Sequence, residues 1–247
     1  MISIFKKKSI PERPDLSGII ADMHSHVLPG IDDGSPKLET SLTLVEGLKE
    51  LGYQKLIATP HILWDIYKND DSTIGAAHKQ LKTALKESGS DLKLQYAAEY
   101  FLDYHVDELI EEETPLLTVK DNWVLVEISF VSAPLDLKDR LFALQMAGYQ
   151  PILAHPERYT YFANDRKIYD ELHAAGFYLQ VNLLSLAGYY GKVAQELGHY
   201  LVNSKYVRLL GTDLHHSRHL QALQSATHLT DTVKFLQDAD LLLNPQL

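Results

Sequence analysis

Residues 22–35, DMHSHVLPGIDDGS, hold two histidines one residue apart, a proline–glycine turn and two adjacent aspartates. Imidazoles and carboxylates at this density are metal-seeking groups. Side chains two apart on a strand point to the same side, so His24 and His26 can share an ion. An HxH pair alone is a weak signal, and it gains weight only from partners elsewhere. Asp213 and His215 repeat the spacing in GTDLH, and His61, Glu99, Glu127 and His155 each stand at the end of a short apolar run. Asp33 follows the Pro29–Gly30 turn, where a loop can fold back over the same place. Asp32 is the alternative, and spacing does not choose between them.

These residues make a shell of five histidines (His24, His26, His61, His155, His215) and four carboxylates (Asp33, Glu99, Glu127, Asp213). That is too many donors for one ion, so two or three ions sharing carboxylates is the better count. Nitrogen and oxygen donors without sulfur suit Mn first, with Fe or Zn as alternatives; Mg or Ca would want fewer histidines. Three divalent ions outweigh four carboxylates, giving a positive site inside a chain of net charge -10. Such a site attracts a phosphomonoester dianion and acidifies water into a hydroxide nucleophile. The chain has no cysteine, so a thiolate nucleophile, a thiolate zinc site and disulfides are all excluded. Two arginines stand close by in sequence, Arg158 three residues after His155 and Arg218 three after His215. Either could hold phosphate oxygens in a bidentate fork and offset charge on the leaving oxygen, as catalytic groups. A surface salt bridge is the plainer alternative for each.

Something must bring these scattered residues together. Seven apolar runs read as buried strands: GIIADMHSH, KLIATPH, LKLQYAAEY, WVLVEIS, PILAHPER, FYLQVNLLS and VRLLGTDLH. Helical spacing lies between them, with Leu38, Leu42, Val45 and Leu48 in one segment and Leu137, Leu141 and Leu144 in another. Gly52, Gly89, Gly148 and Gly176 fall where helices should stop. Strand–helix alternation without a glycine-rich dinucleotide fingerprint predicts an α/β fold, a distorted β/α barrel of about seven parallel strands. In such a barrel the C-terminal strand ends meet on one face, and six of the seven runs end in His, Asp or Glu.

At 247 residues, 45% hydrophobic and 23% charged, the chain suits one domain, placed at 19–247, after an N-terminal arm at 1–18. The negative balance argues against a nucleic-acid partner. No apolar run approaches the length of a membrane span, and the three lysines of the arm allow a weak membrane-surface contact. The absence of cysteine suits a cytoplasmic setting. His78, His105, His173, His199 and His228 lie away from strand ends and read as ordinary side chains. His216 and His219 flank Arg218 and could support it. Tyr159, Tyr161, Tyr189 and Tyr190 could wall a cleft for an aromatic leaving group or could simply pack.

The stretches DMHSHVLPGIDDGS, ATPH, AAEY, LVEIS, LAHPERY and GTDLH, in this order from Asp22 to His215, resemble the PHP (polymerase and histidinol phosphatase) superfamily. They are most similar to its capsular-polysaccharide tyrosine-phosphatase branch. The resemblance implies a β/α barrel with a trinuclear site, usually of manganese, that hydrolyses phosphotyrosine. It implies one ion at His24, His26, Glu99 and Asp213, and a second bridged by Glu99 and held with Glu127 and His155. Asp33, His61 and His215 would hold the third. Arg158 matches the substrate-binding arginine of the family; Arg218 is a looser match, because the loop after TDLH is shorter here. The partner implied is a bacterial tyrosine kinase with a tyrosine-rich tail, in control of polysaccharide export. A small metabolite such as histidinol phosphate is the alternative substrate. A catalytically silent metal-binding module is the third reading, against which stands the presence of all nine ligands.

Overall fold

Parallel hydrogen-bond ladders follow the apolar runs. A computed structural model describes residues 13–247. Its strands are β1 (Ala21–Asp22), β2 (Lys55–Ala58), β3 (His61–Ile62), β4 (Lys93–Tyr96), β5 (Glu99–Phe101), β6 (Trp123–Glu127), β7 (Gln150–Ala154), β8 (Tyr178–Asn182) and β9 (Val207–Gly211). The helices are α1 (Leu38–Glu50), α2 (Asp71–Glu87), α3 (Tyr104–Glu111), α4 (Leu137–Met146), α5 (Lys167–Ala174), α6 (Leu183–Leu186), α7 (Lys192–Asn203), α8 (Ser217–Ser225) and α9 (Leu229–Asp238). None of them is long and apolar enough to cross a membrane. α1, α2, α4 and α5 each meet a glycine two residues past their last helical residue, with φ between 77° and 104°. That is the left-handed stop expected of Gly52, Gly89, Gly148 and Gly176.

Nine strands arise from seven runs because two runs break midway. Thr59–Pro60 separates β2 from β3, and Ala97–Ala98 separates β4 from β5. Pro60 has no N–H to give a ladder. Its carbonyl accepts from Glu99 N at 3.1 Å, and Ala97 N donates to Ala58 O at 2.8 Å, so the neighbouring runs stay joined. One sheet is ordered β1-β2-β4 and the other β3-β5-β6-β7-β8-β9.

The last run returns to the first without a regular ladder. At the C-terminal end, Asp213 N donates to His24 O at 2.7 Å and His26 N to Leu214 O at 3.0 Å. Further back the buried Asn244 side chain spans the seam. It donates to Ala21 O at 3.0 Å and Leu210 O at 2.7 Å, and accepts from Leu210 N at 2.9 Å. The architecture is the expected β/α barrel, distorted at this seam and at the two breaks.

Apolar side chains divide by strand face. Leu56, Ala58, Val124, Val126, Leu153, Leu179 and Val181 join the large cluster shared with the helices. Residues of opposite parity contribute to a second, smaller cluster that includes Met23, Ile57, Ala97, Leu125, Ile152, Ala154 and Leu209, drawn from six runs, with Tyr178 of β8 packed against it. This is the layered filling of a small barrel, whose inward side chains close the interior.

Residues 1–12 of the expected arm, with the three lysines for which a weak membrane-surface contact is expected, lie outside the described residues. Of the remaining stretch, Leu16 is fully buried, and its N–H donates to Leu51 O at 2.9 Å. A 3-10 turn at Ser17–Ile19 then leads into β1.

Candidate metal centre

Two residues beyond the apolar layer, the same strands carry charge. Ala97 is followed on its side of the chain by Glu99, and Leu125 by Glu127. Glu99 of β5 is fully buried and central. Its Oε2 lies 3.2 Å from His24 Nε2, 3.3 Å from His26 Nε2 and 3.1 Å from His61 Nδ1, and its Oε1 lies 3.1 Å from His155 Nε2. Asp213 Oδ1 lies 3.5 Å from His24 Nε2, 3.4 Å from His26 Nε2 and 3.4 Å from His215 Nδ1. Glu127 Oε1 lies 3.3 Å from His61 Nδ1, and Asp33 Oδ1 lies 3.5 Å from both His61 Nε2 and His215 Nε2. All nine expected ligands therefore come together.

They fall into four overlapping groups: His26–Asp33–His61–His215, His24–His26–Asp213, His24–Glu99–His155 and His61–Glu99–Glu127. The overlap differs from the cleaner division that the resemblance implies. His24, His26, His61 and Glu99 each belong to two groups.

The adjacent aspartates separate by role. Asp33 is half exposed and faces His61 and His215. Asp32 is buried behind His26, accepting from its Nδ1 at 2.8 Å and from Gly34 N at 3.0 Å. Gly34 lets this loop lie against the strand, since a Cβ there would stand 2.2 Å from His26 O. Spacing could not distinguish the two residues, because the turn decides which one faces in.

The hydrogen bonds behind the imidazoles test whether a cation fits. His24 Nδ1 donates to Gln180 Oε1 at 2.8 Å, His26 Nδ1 to Asp32 Oδ2 at 2.8 Å, and His215 Nδ1 to Asp213 O at 2.9 Å. Each acceptor holds the proton on Nδ1 and leaves Nε2 as a lone pair, the arrangement found behind metal-bound histidines. The bare Nε2 atoms of His24 and His26 then stand 3.3 Å apart, with two carboxylates beside them. Lone pairs this close need positive charge among them. Among the described residues, Glu99 Oε2 and His61 Nδ1 moreover find no hydrogen-bond partner although buried, which is costly unless a ligand satisfies them.

Proton affinities report the same imbalance. Burial, then the charges of Glu99 and Asp213, push Glu127 well above the usual carboxyl range. Burial opposes ionisation of Glu99 too, but His24 and His61 hold it well below that range. His26 is buried as well, yet the Asp32 carboxylate raises it well above an ordinary imidazole. Burial pulls His155 down to about 4. Without a cation the site gathers protons where it can. The donor set fits divalent ions.

Backbone strain accompanies the ligands. His155 has φ 32° and ψ 53°, and Asp213 has φ 51°. Left-handed geometry at non-glycine residues costs on the order of 1–3 kcal/mol each and gathers at functional sites.

One run without a ligand has another task. β8 supplies Gln180 behind His24 and Asn182, whose Nδ2 donates to Asp213 Oδ2 at 2.8 Å. Both are neutral, so a search for ionisable strand ends passes over them; their i, i+2 spacing in LQVN was the available signal. Buried Asp22 likewise accepts from Thr212 Oγ1 at 2.6 Å and Thr212 N at 2.9 Å, bracing the residue before Asp213.

A cavity of about 500 Å³ opens over the cluster. Arg158 lines it and donates through Nη1 to Asp213 Oδ2 at 2.7 Å, so the surface salt bridge does not describe it. Arg218 does not line it: the residue is exposed in the first turn of α8, where His216 forms the cap and His219 turns inward. His216 and His219 do line the cavity, and His219 Nδ1 accepts from His215 N at 3.3 Å. Of the four tyrosines considered for a cleft wall, Tyr190 lines it; Tyr159 is fully buried and its hydroxyl accepts from Ile128 N at 3.0 Å. Tyr67, Phe101 and Phe130 complete an aromatic wall that no sequence pattern marked.

Residues 20–236 match the family model described as capsular polysaccharide synthesis, CpsB/CapC. The chain is 27% identical over 194 residues to the tyrosine-protein phosphatase YwqE of Bacillus subtilis, covering 78% of this chain and 76% of that one. It is 28% identical over 201 residues to the tyrosine-protein phosphatase CpsB of Streptococcus pneumoniae, covering 78% and 82%. Its fold superposes with TM-score 0.78 and 26% identity, over 92% of this chain and 95% of the other, on a crystal structure from work on YwqE and CpsB as metal-dependent tyrosine phosphatases. A Listeria monocytogenes lactonase, Lmo2620, shares the fold at TM-score 0.50 and 12% identity, over 93% and 89% of the two chains.

Proposed function

The chain belongs to the CpsB/CapC family of capsular polysaccharide synthesis, and from that premise we propose that it is a metal-dependent protein-tyrosine phosphatase. In this reading it hydrolyses phosphotyrosine on a cytoplasmic bacterial tyrosine kinase that controls polysaccharide export. One observation carries it: five imidazoles and four carboxylates converge beside Arg158 at the floor of an open, aromatic-walled cavity, in a chain without cysteine.

His24, His26, His61, His155, His215, Asp33, Glu99, Glu127 and Asp213 would hold two or three ions, manganese before iron or zinc. Bound there, the ions would supply positive charge for the phosphate and an acidified water as nucleophile. The chain contributes the rest. Gln180, Asp32 and the Asp213 carbonyl keep the imidazole protons on the outer nitrogens. Arg158 offers guanidinium N–H groups beside the ions, where charge builds on the phosphate and the leaving oxygen. Tyr67, Phe101, Phe130 and Tyr190 form a wall suited to a phenyl ring.

The exposed rim, with Ile66 and Phe130 at 66% and 46% accessibility, favours a residue on a polypeptide over a small metabolite, which needs an enclosed pocket. The test compares phosphate release from a phosphotyrosine peptide and from histidinol phosphate with Mn added. We expect preference for the peptide, loss with a strong chelator, recovery with Mn and indifference to iodoacetamide. Chelator-resistant turnover by the pure protein, or a higher kcat/KM for histidinol phosphate, overturns the reading.

A further inference from the structure

The Arg158 guanidinium stands over two aromatic rings. Its carbon is 4.6 Å from the centre of Phe130 and 4.2 Å from the centre of Tyr190. Nη1 is tied to Asp213 Oδ2 at 2.7 Å. We infer that Phe130 and Tyr190 are positioning residues that clamp both faces of Arg158 and aim its remaining N–H edge at the phosphate. The inference rests on the phosphatase reading for what enters the cavity.

A guanidinium offers two faces and an in-plane rim of donors. Rings on both faces would leave only the rim to meet a ligand, and Asp213 already takes part of it. The side chain is 23% exposed, and Arg158 lines the cavity. Stacking on two sides restricts a long side chain before substrate arrives, so less freedom is lost on binding. The rings come from separate places, Phe130 from the loop after β6 and Tyr190 from the loop between α6 and α7. Two independent loops converging on one cation is a built arrangement. The Tyr190 hydroxyl has no hydrogen-bond partner among the described residues, whereas its ring lies 4.2 Å from the Arg158 guanidinium carbon. That contact is the one the residue makes on the cation.

The competing account is that these rings touch only the substrate's own phenyl ring. A double-mutant cycle on the Mn-loaded full chain separates the two. Tyr190 is the residue to vary, because Phe130 also stacks on His155 at 5.5 Å. Tyr190→Leu should lower kcat/KM for a phosphotyrosine peptide roughly 5- to 30-fold, the scale of a desolvated cation–π contact, with metal content unchanged. Tyr190→Phe, which keeps the ring, should restore it. In an Arg158→Ala background, Tyr190→Leu should cost nothing more. The same loss with and without Arg158, an equal loss in Tyr190→Phe, or no loss in Tyr190→Leu would each overturn the clamp.

A second readout needs no substrate. In the NMR spectrum of the chain loaded with diamagnetic Zn, the Arg158 Nε–H should be shifted upfield by the ring currents, and Tyr190→Leu should remove much of that shift. An unshifted resonance in the unmodified chain overturns the clamp whatever the substrate is. A shifted resonance with no phosphate release from phosphotyrosine overturns the functional reading and leaves the clamp standing.

Discussion

Leu125 and Glu127 leave β6 on the same side, two residues apart, into different worlds. Leu125 sits in a dry layer with Met23, Ile57, Ala97, Ile152 and Leu209. Glu127 sits among carboxylates that push its proton affinity up. The apolar layer is complete as folded, since every member is buried against others of its kind. The charged layer is not: Glu99 Oε2 and His61 Nδ1 are buried without hydrogen-bond partners among the described residues, and the bare imidazole nitrogens crowd one another. One half of the barrel interior holds the fold together. The other half is held in place by it, at a cost in stability that a bound cation would offset.

Four measurements can break or sharpen that contrast. Glu99→Ala removes the carboxylate that four imidazoles face. It should leave fewer than two ions per chain by elemental analysis and reduce phosphate release by on the order of 10³-fold or more. Full metal content with near-normal turnover would falsify the central place given to Glu99. Leu125→Ala, two residues from Glu127, should cost roughly 2–5 kcal/mol in urea unfolding through the cavity it leaves. At saturating Mn it should keep its metal and most of its turnover. If activity vanished while the fold stayed intact, the two layers would not be separable.

Asp32→Asn leaves every proposed ligand in place and removes a charge behind His26. Metal affinity should fall about 10- to 100-fold by competition with a chelating dye, while Asp33→Asn should lose an ion outright. Equal behaviour of the two variants would dissolve the distinction between them. The smallest effect has opposite signs in the two states. Glu127→Gln removes a buried carboxyl that the ion-free protein must keep protonated. At pH 7 the ion-free variant should melt higher by about 2–4 °C, corresponding to ~1 kcal/mol. Glu127 has a raised folded value, so its penalty grows as pH rises above 4.5, the ordinary value of a glutamate carboxyl. The advantage should therefore fade as pH falls to that point. With Mn present the variant should melt lower than the unmodified chain. A lower melting point in both states would mean that Glu127 is not the strained carboxyl described here.

Residue type carried much of the site. A run that ends in His, Asp or Glu after four or five apolar residues is unusual, and parallel strands in a barrel bring such ends to one face whatever their order in the chain. His24, His26, His61, Glu99, Glu127, His155, Asp213 and His215 were legible for that reason, and so was the barrel. Gln180 and Asn182 were not, because a neutral amide at a strand end looks like any polar boundary. Their role exists only because β8 lies beside β9 and so reaches His24 and Asp213 across the barrel.

What the sequence determined by itself is the periodic part: alternation along strands, helical spacing between them, glycine at the helix stops, and chemistry at the strand ends. These follow from local geometry, where side-chain direction repeats every two residues or every 3.6. Tertiary structure alone decided everything set by loops. It chose Asp33 over Asp32 to face the cluster, because the turn after Gly30 folds back with Gly34 pressed on His26. It sent Arg218 to solvent and His219 inward, because the cap at His216 sets the rotation of α8. It joined Phe130 to Tyr190 around Arg158, although sixty positions separate the two rings in the chain. Loops have no repeat to read, so the direction of each side chain there is settled by what the rest of the fold leaves room for.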